Sequence, residues 1–299
     1  MPLGGCDAAR CRAPASAPSG ISADRRAPAR SSCAQRVSYA LSTAGLERLR
    51  GFITPRSLLA FDVDGTLAPI VARPWDARIP PDLQRRLAAF TKKSTVAIIT
   101  GRAVADARRM LEFNPAYLIG NHGCEGLPGF EAATVTYAAE CAQWLAELSD
   151  ESEPWRHIAG VTLEEKMYSL TFHYRHASPR ERALHVLEAR AAKLDPLPRT
   201  IHGDCVLNLV PREAPHKGDA LLALLEHSGC EHALYVGDDT TDEDVFRLDI
   251  PALLSIRVRQ SDDTAAELHL RGQEDVVRLL DAIDDFMESA SVADTPGRC

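Results

Sequence analysis

The chain has 299 residues, 45% of them hydrophobic and 25% charged, which suits a soluble globular protein of one large or two modest domains. A net charge of −8 at pH 7 argues against nucleic-acid binding, which needs a concentrated basic field. No apolar run approaches the roughly 20 residues that a membrane helix requires.

The first 36 residues carry six arginines against two aspartates and almost no large apolar side chains. Too little apolar surface is present there to offset the entropy of ordering, so residues 1–41 are expected to be a disordered extension. A secretory signal would need an apolar stretch that this segment lacks, and its prolines weaken the amphipathic helix of a transit peptide. Cysteines at 6, 11, 33, 124, 141, 205, 230 and 299 form no C-x-x-C pair. That points to reduced thiols in a cytoplasmic protein, not to a disulfide framework or a zinc site.

Residues 43–52 (TAGLERLRGF) suit a short helix leading into 57–61 (SLLAF), a β-type apolar run. Residues 80–94 (PPDLQRRLAAFTKKS) space Leu83, Leu87 and Phe90 as a helix, with Pro80 and Pro81 at its start. A second buried strand, 95–100 (TVAIIT), ends in Gly101-Arg102, and 103–113 (AVADARRMLEF) reads as a helix. Residues 116–123 (AYLIGNHG) give a third strand with a polar end. Continuous apolar strands alternating with helices indicate an α/β fold, a doubly covered parallel sheet of Rossmann-like type.

The middle of the chain changes rhythm. Residues 138–150 suit a helix, 160–166 (GVTLEEK) and 167–175 (MYSLTFHYR) two strands, 178–194 a helix with Pro179 near its first turn, and 199–211 (RTIHGDCVLNLVP) a hairpin turning near Gly203-Asp204. That order describes an α+β cap inserted at 127–211 into a core formed by 42–126 and 212–290. The core resumes with a helix at 216–229 stopped by Gly229, a strand at 233–239 (ALYVGDD), a strand at 251–258, and a helix at 274–289. Residues 291–299 are expected to be a flexible tail.

Four polar pieces fall at strand ends or helix starts: Asp62-Val-Asp64-Gly-Thr66, Thr100-Gly-Arg102, Lys217-Gly-Asp219 and Gly237-Asp238-Asp239-Thr-Thr-Asp242. Alone, an Asp-x-Asp is solvated turn chemistry, HKGD a helix start, and DDTTDED an acidic loop with a cap. Glu243 and Asp244 read as exposed acids of a helix's first turn. In parallel α/β sheets, however, ligands bind beyond the carboxyl ends of the strands, where all four pieces would meet.

In this order and context the four pieces resemble the motifs of the haloacid-dehalogenase phosphatase superfamily, over residues 58 to about 285. The resemblance implies Asp62 as the nucleophile that forms an aspartyl-phosphate and Asp64 as general acid and base. Thr100 and Lys217 would bind the phosphoryl oxygens. Mg²⁺, a hard ion that prefers oxygen, would be held by Asp62, the Asp64 carbonyl and Asp238. Asp239 and Asp242 would orient metal waters or Lys217 from behind.

The extended first motif, FDVDGTLAPI, the LIGNHGCE segment and LEEKMYSLTFHYR together resemble the trehalose-6-phosphate phosphatase family. That resemblance implies a lid closing over a sugar phosphate, with Glu164 and Lys166 as cap ligands and Arg102, Asn121 and His122 near the phosphate. His173 and Arg175 either join them or pair within the cap sheet. One departure stands out: the family carries a Glu in a Glu-x-x-Pro pattern before the third motif, where this chain has Asn208. The alternatives are a phosphatase for another sugar phosphate or a glycosyl-phosphoglycerate, and a non-catalytic sugar-phosphate-binding module, disfavoured because no catalytic position is lost. The expected partner is a small-molecule sugar phosphate, with no nucleic acid and no membrane. The chain is expected to be a monomer, and the resemblance allows a trehalose-6-phosphate synthase as a physical partner.

Overall fold

A computed structural model describes residues 38–71 and 73–293 of the protein. The disordered extension and the flexible tail expected from sequence lie mostly outside these residues. Where they overlap them, the chain is ordered: Ser38–Tyr39 is a strand, β1, and the last helix runs on to Ala293.

The first part of the core follows as α1 (Thr43–Arg50), β2 (Ser57–Phe61), α2 (Pro81–Phe90), β3 (Thr95–Ile99), α3 (Val104–Met110) and β4 (Tyr117–Ile119). Two prolines open α2, since fixed φ and a missing N–H cost nothing at a helix start. The inserted part comprises α4 (Glu131–Leu148), β5 (Thr162–Glu165), β6 (Leu170–His173), α5 (Arg180–Ala191), β7 (Arg199–Gly203) and β8 (Val206–Val210). The core then resumes with α6 (Lys217–Ser228), β9 (His232–Gly237), α7 (Glu243–Phe246), β10 (Leu253–Val258), β11 (Leu268–Leu270) and α8 (Asp275–Ala293).

Seven strands pair in parallel in the order β1-β11-β10-β9-β2-β3-β4. Period-2 alternation divides each central strand between two cores. Leu59, Phe61, Val96, Ile98, Leu234 and Val236 join residues of α1, α2 and α8 on one face. Leu58, Ala60, Ala97, Ile99, Ala233 and Tyr235 join α6 and α7 on the other. Burial on both faces is why these strands read as unbroken apolar runs. The order reverses at β2, so the polar residues after β2, β3 and β9 converge in one crevice, and Gly229, left-handed at φ 65°, ends α6 behind it.

The insert is a four-stranded antiparallel sheet, β5-β6-β8-β7, with α4 and α5 over one face only. Leu170, Phe172, Leu207 and Leu209 point into that apolar layer around Trp144. The alternate residues, Thr171, His173, Val206 and Asn208, line a cleft against the core. A half-covered antiparallel sheet thus gives the cap one polar face, and that face meets the crevice.

Candidate active site

The cleft between the two sheets has a volume of about 270 Å³, and Asp62, Asp64, His122, Lys166, His173 and Asn208 are among the residues lining it. Asp62 follows β2 and is almost fully buried. The backbone turns back at Gly65, with φ 79°, and Gly65 N donates to Ala68 O at 2.7 Å. A Cβ on Gly65 would lie 2.0 Å from Asp238 Oδ2, so only glycine lets the Asp238 carboxylate close against this turn.

Lys217 begins α6 beneath the crevice. Its Nζ donates to Asp62 Oδ1 at 2.8 Å and to Asp242 Oδ1 at 2.7 Å. Burial works against its charge, but Asp242 and Asp62 outweigh burial and hold Lys217 above the usual lysine range. Asp242, wholly buried, also accepts from Tyr235 Oη at 2.6 Å and from the backbone N–H of Asp238 and Asp239, each at 2.9 Å. Both of its oxygens are therefore occupied by two donors apiece, and its work is to hold Lys217 and the turn after β9.

Ligand oxygens of Asp62, Asp238 and Asp242 lie within 4.8 Å of one another. Because Asp242 is saturated, Asp62 and Asp238 are the two carboxylates with capacity for a cation. Burial, then Asp242 and Asp239, push the Asp238 carboxyl up to about 7. A buried carboxylate so disfavoured in its charged form gains most from a hard cation beside it, so the residues present fit a divalent metal with oxygen ligands. The Asp239 side chain does something else: its Oδ1 accepts from Thr240 N at 2.7 Å and caps the short turn after β9. Arg259, which no motif singles out, donates to Asp238 Oδ2 at 3.0 Å from 21 residues away. Its only signal was a positive charge after a strand.

Asp64 sits at the cleft's edge, gripped by Arg102 through two hydrogen bonds of 2.6 Å. Thr100 is buried, and its Oγ1 accepts from Arg102 N at 3.3 Å, leaving the hydroxyl hydrogen for another acceptor. His122 packs on Gly101, where an added Cβ would meet the ring at 2.4 Å. Burial first, then Lys217, Lys166 and Arg199, hold the His122 imidazole well below its usual range, hence neutral.

On the cap, Glu164 accepts from His173 Nε2 across 2.7 Å, and Lys166 Nζ lies 3.7 Å from the same oxygen. Burial raises the Glu164 carboxyl, but His173 and Lys166 more than reverse this and hold it below the usual range. Burial pulls Lys166 down, partly opposed by Glu164. Arg175 pairs within the cap, with Asp204 at 2.8 Å. Asn208 is pinned: its Oδ1 accepts from Thr171 Oγ1 at 2.7 Å, and its Nδ2 donates to Ile201 O at 3.2 Å.

Two expectations need correction. Asn121, expected to bind substrate near the phosphate, is 1% exposed and uses both amide hydrogens within the protein, on Glu125 Oε2 at 2.7 Å and Lys166 O at 3.2 Å. Glu243, read as an exposed acid, is 4% exposed and accepts from Arg257, Thr264 Oγ1 and Ala265 N. A helix's first turn was correct for it, but its partners arrive from 14 to 22 residues downstream, beyond any local pattern.

A model of the trehalose-phosphatase family matches residues 60–267. The trehalose-phosphate phosphatase of Mycobacterium tuberculosis is 32% identical over 224 residues, covering 71% of this chain and 56% of that protein. The chain therefore spans about half the length of the curated relatives it matches. The C-terminal domain of C. albicans trehalose-6-phosphate phosphatase superposes with a TM-score of 0.62 at 21% identity, over 84% of this chain and 99% of that one. The Aspergillus fumigatus trehalose-6-phosphate phosphatase gives 0.52 at 25% identity, over 83% and 99%. These neighbours share the haloacid-dehalogenase fold.

Proposed function

The chain belongs to the trehalose-phosphatase family, and from that premise we propose that it is a Mg²⁺-dependent phosphatase converting trehalose 6-phosphate to trehalose and phosphate. The observation that carries this reading is Lys217 Nζ, buried and shared between Asp62 and Asp242 within 2.8 Å of each, beneath a cleft roofed by a polar cap face. A phosphate monoester resists attack because it is already negative, so a catalyst must neutralise, position and supply an aligned nucleophile.

Asp62 attacks phosphorus: a bond forms from its carboxylate oxygen while the bond from phosphorus to the sugar oxygen breaks. Asp64, oriented by Arg102, gives a proton to the departing sugar oxygen. Asp64 then takes a proton from water, whose oxygen attacks the phosphorus and releases Asp62. Lys217 offers the phosphoryl oxygens a preorganised positive charge, and the Thr100 hydroxyl offers them a hydrogen-bond donor. Asp62, Asp238 and the Asp64 carbonyl would hold Mg²⁺, and Asp239 and Asp242 shape the loop around it. When bound, that cation supplies further neutralisation of the phosphoryl charge and alignment of its oxygens. Glu164 and Lys166 offer the sugar hydroxyls charged partners from the cap, His173 offers an imidazole beside them, and neutral His122 lines the floor. In this reading the enzyme acts as a monomer on a small molecule in the cytoplasm. The free thiols of Cys124, Cys141, Cys205 and Cys230 suit that compartment.

A second reading, another sugar phosphate as substrate, is favoured by Asn208, which is uncharged and pinned by Thr171 and Ile201. Phosphate release from a panel of sugar phosphates, with Mg²⁺ and with chelator, separates the two. Trehalose 6-phosphate should be turned over with the highest kcat/KM, and chelator or Asp62→Asn should abolish turnover. A simple hexose phosphate ranking above it overturns the substrate, and activity surviving both treatments overturns the mechanism.

A further inference from the structure

The chain after β4 leaves the sheet in an unusual way: Asn121 and His122 have φ of 48° and 60°, and Gly123 follows at 126°. Three successive residues in the left-handed region are costly unless the surroundings fix them. Here they do. Asn121 N donates to Arg102 O at 2.8 Å and His122 N to Thr100 O at 3.0 Å, tying this loop to the end of β3.

The carboxamide of Asn121 faces the other way, into the cap. Its Oδ1 accepts from Ser169 Oγ at 2.7 Å. Its Nδ2 reaches Lys166 O at 3.2 Å and Glu125 Oε2 at 2.7 Å. Glu125 Oε2 accepts a second time, from Val104 N at 2.8 Å, so it is fixed by the start of α3. Ser169 and Lys166 are joined by their own backbone bond, Lys166 N to Ser169 O at 3.0 Å, which closes the tip of the β5–β6 hairpin. A core amide thus grips the tip of a cap hairpin, and the carbonyl it grips belongs to the residue whose ammonium enters the cleft.

We propose that Asn121, braced by Glu125 and closed by Ser169, is a positioning residue: a latch that sets Lys166 over the active site rather than a ligand for the sugar. The local chemistry favours this assignment over direct contact. Asn121 and Ser169 are each 1% exposed, and no amide hydrogen of Asn121 is left for a hydroxyl. The latch works on Lys166 through its backbone, so the ammonium is placed by the hairpin tip and not by its flexible stem. The proposal rests on the reading of the cleft as a sugar-phosphate site, and its test is built so that the two can fail separately.

The test uses the full chain. Ser169→Ala removes the hydroxyl, and Asn121→Gly removes the carboxamide at a φ that glycine adopts without strain. With trehalose 6-phosphate, each is expected to raise KM about tenfold, the effect of about one hydrogen bond, with kcat within about twofold. Added to Lys166→Ala, neither should raise KM further, and Ser169→Thr should restore the parent value. A rise in Asn121→Gly with none in Ser169→Ala would make Asn121 a direct ligand and overturn the latch; so would additive effects with Lys166→Ala. Amide hydrogen exchange needs no substrate: the β5–β6 hairpin should exchange faster in both variants while β2 does not change. Unchanged exchange at the hairpin overturns the latch whatever the substrate proves to be, while failure of turnover with the hairpin loosened as expected overturns only the substrate.

Discussion

Arg102 closes on Asp64 with two parallel hydrogen bonds of 2.6 Å, from Nε to Oδ2 and from a terminal nitrogen to Oδ1. Such a fork fixes the plane of the carboxylate as well as its distance, which a single ammonium cannot do. In the proposed mechanism Asp64 presents one oxygen to the leaving group, so its plane matters. Arg102→Lys is expected to lower kcat about a hundredfold, the scale set by misplacing a reacting group. Mg²⁺ affinity should change little, because Arg102 holds the Asp64 side chain, whereas the ion would take the Asp64 backbone carbonyl. Steady-state kinetics with a parallel metal titration checks both halves.

Lys217 is held by two buried carboxylates, and neither has another side-chain cation within bonding distance among the described residues. Lys217→Met leaves Asp62 and Asp242 uncompensated. Removing one partner of a buried ion pair costs about 3–5 kcal/mol. Thermal denaturation should show a large drop in Tm alongside lost turnover. In the parent protein, Lys217's raised pKa means its contribution is present throughout the neutral range and lost only as pH rises through that high value.

Gly65 and Asp238 test the metal site without removing a ligand. An alanine Cβ at Gly65 would stand 2.0 Å from Asp238 Oδ2, and φ 79° is unfavourable for alanine as well. Gly65→Ala is expected to weaken Mg²⁺ binding at least about tenfold, because Asp238 must move away from the turn. Isothermal titration with Mg²⁺ reads this directly; unchanged affinity would mean that Asp238 does not bind the ion where it now lies.

The place of the candidate site was legible because its residues follow strands that are buried on both faces. Asp62 ends SLLAF, Thr100 ends TVAII and Asp238 follows ALYVG, and such runs announce both a parallel sheet and the edge where it meets solvent. The polar cap face was legible for the same reason of period: Thr171 and His173 alternate with Leu170 and Phe172. The short strands β1 and β11 were not, since two or three residues carry no measurable alternation. Nor were pairings set by distant loops. Asn121 looked like a ligand because it follows a strand, and its other work comes from Glu125 nearby and from Lys166 and Ser169, 45 and 48 positions on.

Glu243 is the clearest case of a role hidden by sequence distance. It accepts from Arg257 at 3.0 Å, Thr264 Oγ1 at 2.6 Å and Ala265 N at 3.0 Å, joining α7 to the chain on both sides of the turn after β10. Glu243→Ala strands a mostly buried guanidinium and a backbone N–H. A loss of about 3–5 kcal/mol is expected in urea denaturation. The turn it braces includes Arg259, so a weaker hold on Asp238 should follow. Glu243→Asp, which keeps the charge but shortens the reach, should recover part of the stability.

His122 gives the protein an acid-sensitive stability with a definite sign. Burial, Lys217, Lys166 and Arg199 hold its imidazole well below the usual range, and its Nδ1 is buried with no hydrogen-bond partner among the described residues. In the unfolded chain a histidine takes up its proton near pH 6.5, at about its ordinary pKa. Below that pH the unfolded state binds a proton that the folded state refuses. Stability conferred by neutral His122 is therefore complete above about pH 6.5 and falls as pH falls, by about 1.4 kcal/mol per pH unit, until the folded pKa is reached. His122→Asn keeps a side chain suited to φ 60° and cannot titrate. Below about pH 6.5 its urea-denaturation free energy should fall less steeply than the parent's as pH drops, the difference approaching that slope. Parallel slopes would show that the folded protein accommodates a charged imidazole beside Lys217, and the assignment of His122 as a neutral group on the site's floor would then fail.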